Sequence, residues 1–253
     1  MGNKAVIAVG SFKGGTAKTS TAIHLGAGLA TLKKQRVLLI DCDAQANMTT
    51  GLGFDPDQHE SLAPVMQGTK TFQDVVQKTA VEGLDLVPAD TWLERVEVTG
   101  TLASDRYSHE KLKHIVEPLD YDTIIIDTPP SLCWLTESAL IAANYTLICS
   151  TPEFYSIKGL ERLSSFIKSL GERHPLEVLG VVMSFWNHRG KSNSEFLNVL
   201  EHTFPGKTLE SKVRRDIRIS EASIIGKPVF HTAPNSRAAE DYLKLTEEIL
   251  TRM

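Results

Sequence analysis

A chain of 253 residues, 42% apolar and 23% charged, is long enough to bury a core and ordinary for a soluble globular protein. Its formal net charge of -4 excludes a polycation, so contact with nucleic acid would require a local basic patch. Cys42, Cys133 and Cys149 are odd in number and form no C-x-x-C pair. That excludes a disulfide framework or zinc site and predicts small buried core residues in a reducing cytoplasm.

The first apolar stretch, residues 5–9, is too short for a signal peptide and runs directly into glycines. It reads as a strand, and the alanine-rich stretch 19–33 that follows reads as a helix. Further β-branched runs predict strands at 36–40, 84–88, 123–126, 146–150 and 178–183, with a weaker one at 208–213. Runs such as VLLI and TIII do not alternate with polar residues, so both faces of these strands must be covered. Helical patterns occupy 131–143, 156–170, 192–202 and 236–252. The polar stretch 90–119 reads as helical and as covering a sheet edge or shaping a partner surface. Alternating strands and helices predict an α/β fold with a doubly wound, mainly parallel sheet flanked by helices. No repeat or linker interrupts it, so a single domain over 1–253 is expected. No window approaches the roughly 20 apolar residues of a membrane span, and the expected location is cytoplasmic.

The string GSFKGGTAKTS, residues 10–20, lies between the first strand and first helix, where an open α/β sheet binds phosphates. Gly14 and Gly15 let backbone N–H groups turn inward, and the helix N-terminus favours anions. Lys18 can reach the β- and γ-phosphates, and the Thr19 hydroxyl can ligate Mg²⁺. The loop residues expected to bind nucleotide are therefore Gly14, Gly15, Thr16, Ala17, Lys18, Thr19 and Ser20. Phe12 and Ala17 stand where the general phosphate-loop pattern has glycines. Because a helix starting at Ala17 would not force its φ positive, ATP is expected to fit.

Two acidic segments end apolar strands. RVLLIDCDAQAN, residues 36–47, places Asp41 and Asp43 at one strand end, and YDTIIIDTPPS, residues 121–131, places Asp127 at another. At the end of its apolar strand Asp127 is costly to bury unpaired, and Mg²⁺ reached through water is its natural partner. Lys212, Arg214, Arg215 and Arg218 form the densest basic cluster of an otherwise acidic chain, with Arg189, Lys191 and Lys207 as possible extensions.

The lysine-glycine-glycine loop resembles the deviant Walker A loop, and the chain as a whole resembles the ParA/Soj family of DNA-partitioning ATPases in the wider MinD/ParA superfamily of P-loop proteins. The resemblance implies ATP and Mg²⁺ as cofactors and a sandwich homodimer in which Lys13 reaches the partner subunit's ATP. It implies that Asp43 positions or activates the attacking water, making Lys13, Lys18 and Asp43 the catalytic set. Thr19, Asp41 and Asp127 become the metal set, with Asp41 supporting the metal shell. Ala44 stands for the family proline, Ala46 for a common glycine, and Arg214 for a usual proline. By the same resemblance the 178–187 strand ends near the adenine. Arg215, Arg218, Arg214, Lys212 and Arg189 would grip DNA without sequence preference, since phosphate contacts alone suffice. A ParB-like centromere-binding partner would stimulate a weak intrinsic ATPase, and the protein would associate with the nucleoid.

A MinD-like or cargo-positioning ATPase is the alternative. The acidic polar face of the 236–252 helix argues against it, because membrane-surface helices favour Lys and Arg. An iron–sulfur reductase would need a second cysteine near Cys133, and none is there.

Overall fold

A computed structural model describes residues 4–11, 13–102, 108–153, 156–172, 174–190 and 193–253. In chain order, the first half runs β1 (Ala5–Gly10), α1 (Lys18–Lys33), β2 (Val37–Asp41), α2 (Asn47–Gly51), α3 (Leu62–Gln67), β3 (Gln77–Lys78), β4 (Leu84–Val87), α4 (Leu93–Leu102), α5 (Lys111–Val116) and β5 (Thr123–Asp127). The second half runs α6 (Trp134–Ala142), β6 (Tyr145–Ser150), α7 (Ser156–Gly171), β7 (Glu177–Trp186), α8 (Asn193–Thr203), β8 (Thr208–Arg214), α9 (Ile217–Ile225), α10 (Val229–Thr232) and α11 (Arg237–Arg252).

Among the described residues the strands form one sheet in the order β3-β4-β2-β5-β1-β6-β7-β8. All pairings are parallel except β3 with β4 at one edge. The apolar runs explain this directly. Ile7, Val9, Val37, Leu39 and Ile125 point into one core, and Val6, Ala8, Leu38, Ile40, Ile124 and Ile126 into the other. α1, α9 and α11 cover the first face, and α3 to α6 the second. Both faces are dry, as the lack of polar alternation requires.

α1 is buried almost all round, so it has almost no amphipathic character. Its His24 is neutral, pushed down to about 4 by burial. The ring stacks on Tyr242 with centroids 4.4 Å apart, its Nδ1 lies 2.6 Å from the Ser20 carbonyl, and its Nε2 accepts from the Val229 N–H at 3.1 Å. One side chain thus ties the helix behind the phosphate loop to both α10 and α11. Tyr242, Leu245 and Ile249 of α11 are fully buried against this core.

Several expectations are corrected. Residues 90–119 do not simply cover an edge: Leu93, Val96, Leu112 and Val116 pack on the sheet face with Leu38, Ile40 and Val87, while Trp92 and Val98 stay exposed. Residues 103–107 of that stretch lie outside the described residues. α6 starts at Trp134 instead of residue 131: residues 130–132 form a bend, and Cys133, in extended backbone, is the residue from which the helix starts. Cys42 and Cys149 are buried as expected, but Cys133 is only partly buried, at the start of α6. The short helices α2, α3, α9 and α10 and the edge strand β3 were not anticipated.

Candidate nucleotide site

The loop from β1 to α1 is held from within. Ser11 Oγ donates to the Lys13 carbonyl at 2.8 Å, and Gly15 sits at φ 73°, a left-handed conformation that suits glycine. Ala17 corrects the expectation made for it. It precedes α1 at φ 62° and ψ 28°, inside the left-handed region, with no side-chain cap. An L-residue there costs about 1–2 kcal/mol relative to right-handed backbone. Ala46 repeats the pattern at φ 51° in front of α2. Ala17→Gly is expected to raise the unfolding free energy of the nucleotide-free protein by about 0.5–1 kcal/mol, the relief being partly offset by added freedom in the unfolded chain. A urea titration would read this as a higher midpoint, and an unchanged midpoint would mean that the turn holds no strain.

Residues 14–20 open into a cavity of about 520 Å³ that also takes in Asp43, Gln45, Asn47, Thr50, Pro130 and Ser223. Lys18, 7% exposed, and Thr19 therefore share one opening with Asp43. Behind them, Thr19 Oγ1 donates to Asp127 Oδ2 at 2.6 Å. Asp127 is fully buried, and its Oδ1 has no hydrogen-bond partner among the described residues. Burial first, then the nearby Asp41 charge, push its carboxyl up to about 8 against the opposing pull of Thr19 and Lys18. A buried carboxylate oxygen without a partner, beside a hydroxyl, suits a hard cation with oxygen ligands, so Thr19 and Asp127 fit Mg²⁺.

Asp41 lies opposite Asp127 across the β2–β5 pairing. Expected to support the metal shell, it uses both oxygens elsewhere. Oδ2 accepts from the Thr49 N–H at 3.0 Å and the Thr49 hydroxyl at 2.8 Å, and Oδ1 accepts from the Asp43 N–H at 3.2 Å. Thr49 Oγ1 in turn accepts from the Ala89 N–H at 2.9 Å. Asp41 thus anchors the loop that carries Asp43, and burial raises its own pKa to about 6. Asp43 Oδ1 accepts from the Gln45 N–H at 3.0 Å, a turn that orients the carboxylate. Thr49, Gln45, Asn47 and Thr50 were missed in the sequence; the NMTT run after the two aspartates was the available signal.

Lys13 lies on the rim, 41% exposed, and pairs with Glu153 within the same chain. A second cavity, about 890 Å³, meets the loop at Gly15 and is walled by Phe185, Trp186, Asn187, Arg214 and Arg237. The end of β7 therefore lies beside the phosphate loop. Phe12 and Lys191 lie outside the described residues.

The basic cluster divides. Arg215 and Arg189 are exposed, with Arg215 above the Phe185 ring at 5.9 Å. Arg218 is exposed and pairs with Glu221 at 2.6 Å. Lys212 lies over the Trp186 ring at 5.4 Å. Lys207 pairs with Glu177 at 3.2 Å. Arg214 differs: its Nε and NH2 reach both oxygens of buried Asp241 at 2.7–3.1 Å, and NH2 also reaches Glu240 at 3.0 Å. These partners raise its pKa further and commit the guanidinium to holding β8 on α11. Arg214 is thereby a structural cation, not a free phosphate contact.

The AAA domain family matches residues 4–178. A ParA family protein of Chlamydia trachomatis is 66% identical over 96% of both chains. The chromosome partitioning protein ParA of Caulobacter vibrioides is 36% identical over 98% of this chain and 94% of its own. A Mycobacterium smegmatis cobyrinic acid a,c-diamide synthase, solved with a bound ATP analog and magnesium, superposes with a TM-score of 0.84 at 28% identity, over 98% of this chain and 94% of that one. With a parallel sheet, a phosphate loop at its centre and near-complete coverage by these relatives, the chain belongs to the ParA family of P-loop ATPases.

Proposed function

We propose that this protein is a nucleotide-driven partitioning switch for a chromosome or plasmid. Mg²⁺-ATP binds at residues 13–20, two copies close over the nucleotides, and the pair grips DNA non-specifically through Arg215, Arg218 and Arg189. Hydrolysis then releases the DNA, and a ParB-like partner accelerates that slow step on the nucleoid. The observation that carries this reading is the convergence of Lys18, Thr19 and Asp43 on one opening, backed by the unpartnered oxygen of Asp127.

Each group then has a task. The backbone N–H groups of residues 14–19 and the Lys18 ammonium hold the phosphate oxygens and neutralise charge as it moves toward the leaving group. Mg²⁺, when held there, would supply further charge neutralisation. Thr19 and Asp127 are the side chains that hold the metal. Asp43 orients the attacking water, and Asp41 with Thr49 keeps Asp43 in position. Lys13 exchanges Glu153 for a phosphate of the partner subunit's nucleotide. The name of the Caulobacter relative and the exposed arginines both support the DNA step.

Binding of a random DNA duplex should be measured with ATP, ADP and no nucleotide over a salt series. Binding is expected only with ATP and should weaken steeply with salt. The double variant Arg215→Glu/Arg218→Glu should lose roughly tenfold or more in DNA affinity, because two phosphate contacts become repulsions, with ATP binding unchanged. DNA affinity equal to the parent's in that variant would move the surface elsewhere. No DNA binding in any nucleotide state, with ATP binding intact, would favour a membrane or protein cargo.

A further inference from the structure

α9 touches both ends of this proposed cycle. Its C-terminal residues Ser223 and Ile224 line the phosphate opening beside Asn47, Thr50 and Gly51. Its N-terminal end carries the exposed arginines: Asp216 caps it, accepting from the Arg218 N–H at 3.1 Å, with Arg215 immediately before. The helix is 9 residues long, so the two ends are about 13 Å apart at 1.5 Å per residue.

The contact between α9 and the Asp43 loop has an unusual form. α9 ends at Gly226, φ 74°, and the loop after α2 turns at Gly53, φ 85°. The two backbones meet without side chains between them. A Cβ placed on Gly226 would lie 2.6 Å from the Gly53 Cα and 2.9 Å from its nitrogen. A Cβ on Gly53 would lie 3.4 Å from the Gly226 Cα. The loop on the other side of this contact is fixed to β2 by the Thr49–Asp41 bonds, so movement of Asp43 and movement of Gly53 are linked. On its inner side α9 buries Ile219 and Ala222, whereas Ile217, Ile224 and Ile225 stay exposed at 70%, 85% and 59%. Rigid in itself and supported along one face, α9 can shift as a unit.

We infer that α9 is the element that reports nucleotide state to the basic surface, driven through the Gly53–Gly226 backbone contact. A rearrangement of the Asp43 loop around the γ-phosphate pushes or releases Gly226 and re-aims Arg215 and Arg218. The inference rests on the DNA-binding reading only for what the movement achieves; the movement itself can be observed without DNA.

The test is amide hydrogen exchange on the intact chain with no nucleotide, with ADP and with Mg²⁺-ATP. In the parent, exchange in residues 219–226 is expected to differ by about fivefold or more between ADP and Mg²⁺-ATP, alongside protection of residues 13–20. Gly226→Ala should remove the difference in 219–226 while leaving the phosphate-loop protection. Gly53→Ala, whose added carbon is less crowded, should reduce it and serves if the first variant folds poorly. Gly68→Ala is the control: its φ is 76°, but an added Cβ meets nothing within 4 Å, so it carries the same backbone strain and should keep the parent response. A parent protein whose phosphate loop is protected but whose α9 does not respond overturns the inference. So does a response that persists undiminished in both contact variants, which would mean that α9 is simply covered by a second copy. Absence of phosphate-loop protection would overturn this inference and the ATPase reading together. An α9 response in a protein that never binds DNA would leave the relay standing and remove its proposed output.

Discussion

Asp127→Asn is expected to make the metal-free protein more stable and, at the same time, blind to Mg²⁺. The carboxylate is fully buried, has one oxygen without a partner, and faces Asp41 across two paired strands. Its pKa in the fold, about 8, lies above the ordinary carboxylate value. The folded state therefore binds more protons than the unfolded state between about pH 4 and pH 8, and stability falls as pH rises through that window. Asparagine keeps the shape and an acceptor for Thr19 but carries no charge to bury. The gain at pH 8 should be on the order of a few kcal/mol, and the slope of stability against pH should flatten. Thermal melts in EDTA across pH 5–8 would show both effects. Added Mg²⁺-ATP should raise the parent's melting temperature well beyond that of the variant. A variant that is less stable than the parent at pH 8 without metal would contradict this account of the site.

Thr49→Val tests the anchor instead of the metal. The substitution keeps the volume and removes the hydroxyl that donates to Asp41 and accepts from the Ala89 N–H. Two buried groups then lose a partner, at a cost of about 1–3 kcal/mol in folding free energy. The loop carrying Asp43 keeps the backbone bonds from the Thr49 and Asp43 N–H groups to Asp41 but loses the hydroxyl link between Asp41 and Ala89, so ATP hydrolysis should fall about tenfold, since each 1.4 kcal/mol of lost positioning is a factor of ten. Nucleotide affinity should change little, because Thr49 lines no part of the phosphate opening. Calorimetric titration with ATP beside a phosphate-release assay would separate the two quantities. Equal losses in both would place Thr49 in binding instead of positioning.

The strands and the phosphate loop were legible because their signals are local. An unbroken run such as TIII can only be a strand covered on both sides, and the lysine-glycine-glycine string in front of a helix has few other uses. α2 was not legible. NMTTG is a poor helix by composition and exists because Asp41, eight residues upstream of Thr49, accepts two of its donors. α9, with its β-branched IRIS start, resembles a strand; its Asp216 cap and Gly226 stop were the available signals. The left-handed backbone at Ala17 and Ala46 could not be read from alanine at all, since only the tertiary surroundings impose it. The role of Arg214 was hidden for a similar reason: its acidic partners, Glu240 and Asp241, lie on α11, remote in sequence and adjacent only once β8 packs on that helix.

The order of strands around β1 has a consequence for how this molecule can be altered. Asp127, Asp41 and Asp43 hang from β5 and β2, on one side of β1, whose own loop carries Lys18 and Thr19. The cavity of about 890 Å³ that meets the loop at Gly15 is built mainly from the ends of β6, β7 and β8, on the other side. The three aspartates and this second cavity are therefore housed in separate halves of one sheet. Mutational drift, or a deliberate redesign, can therefore alter one without touching the other.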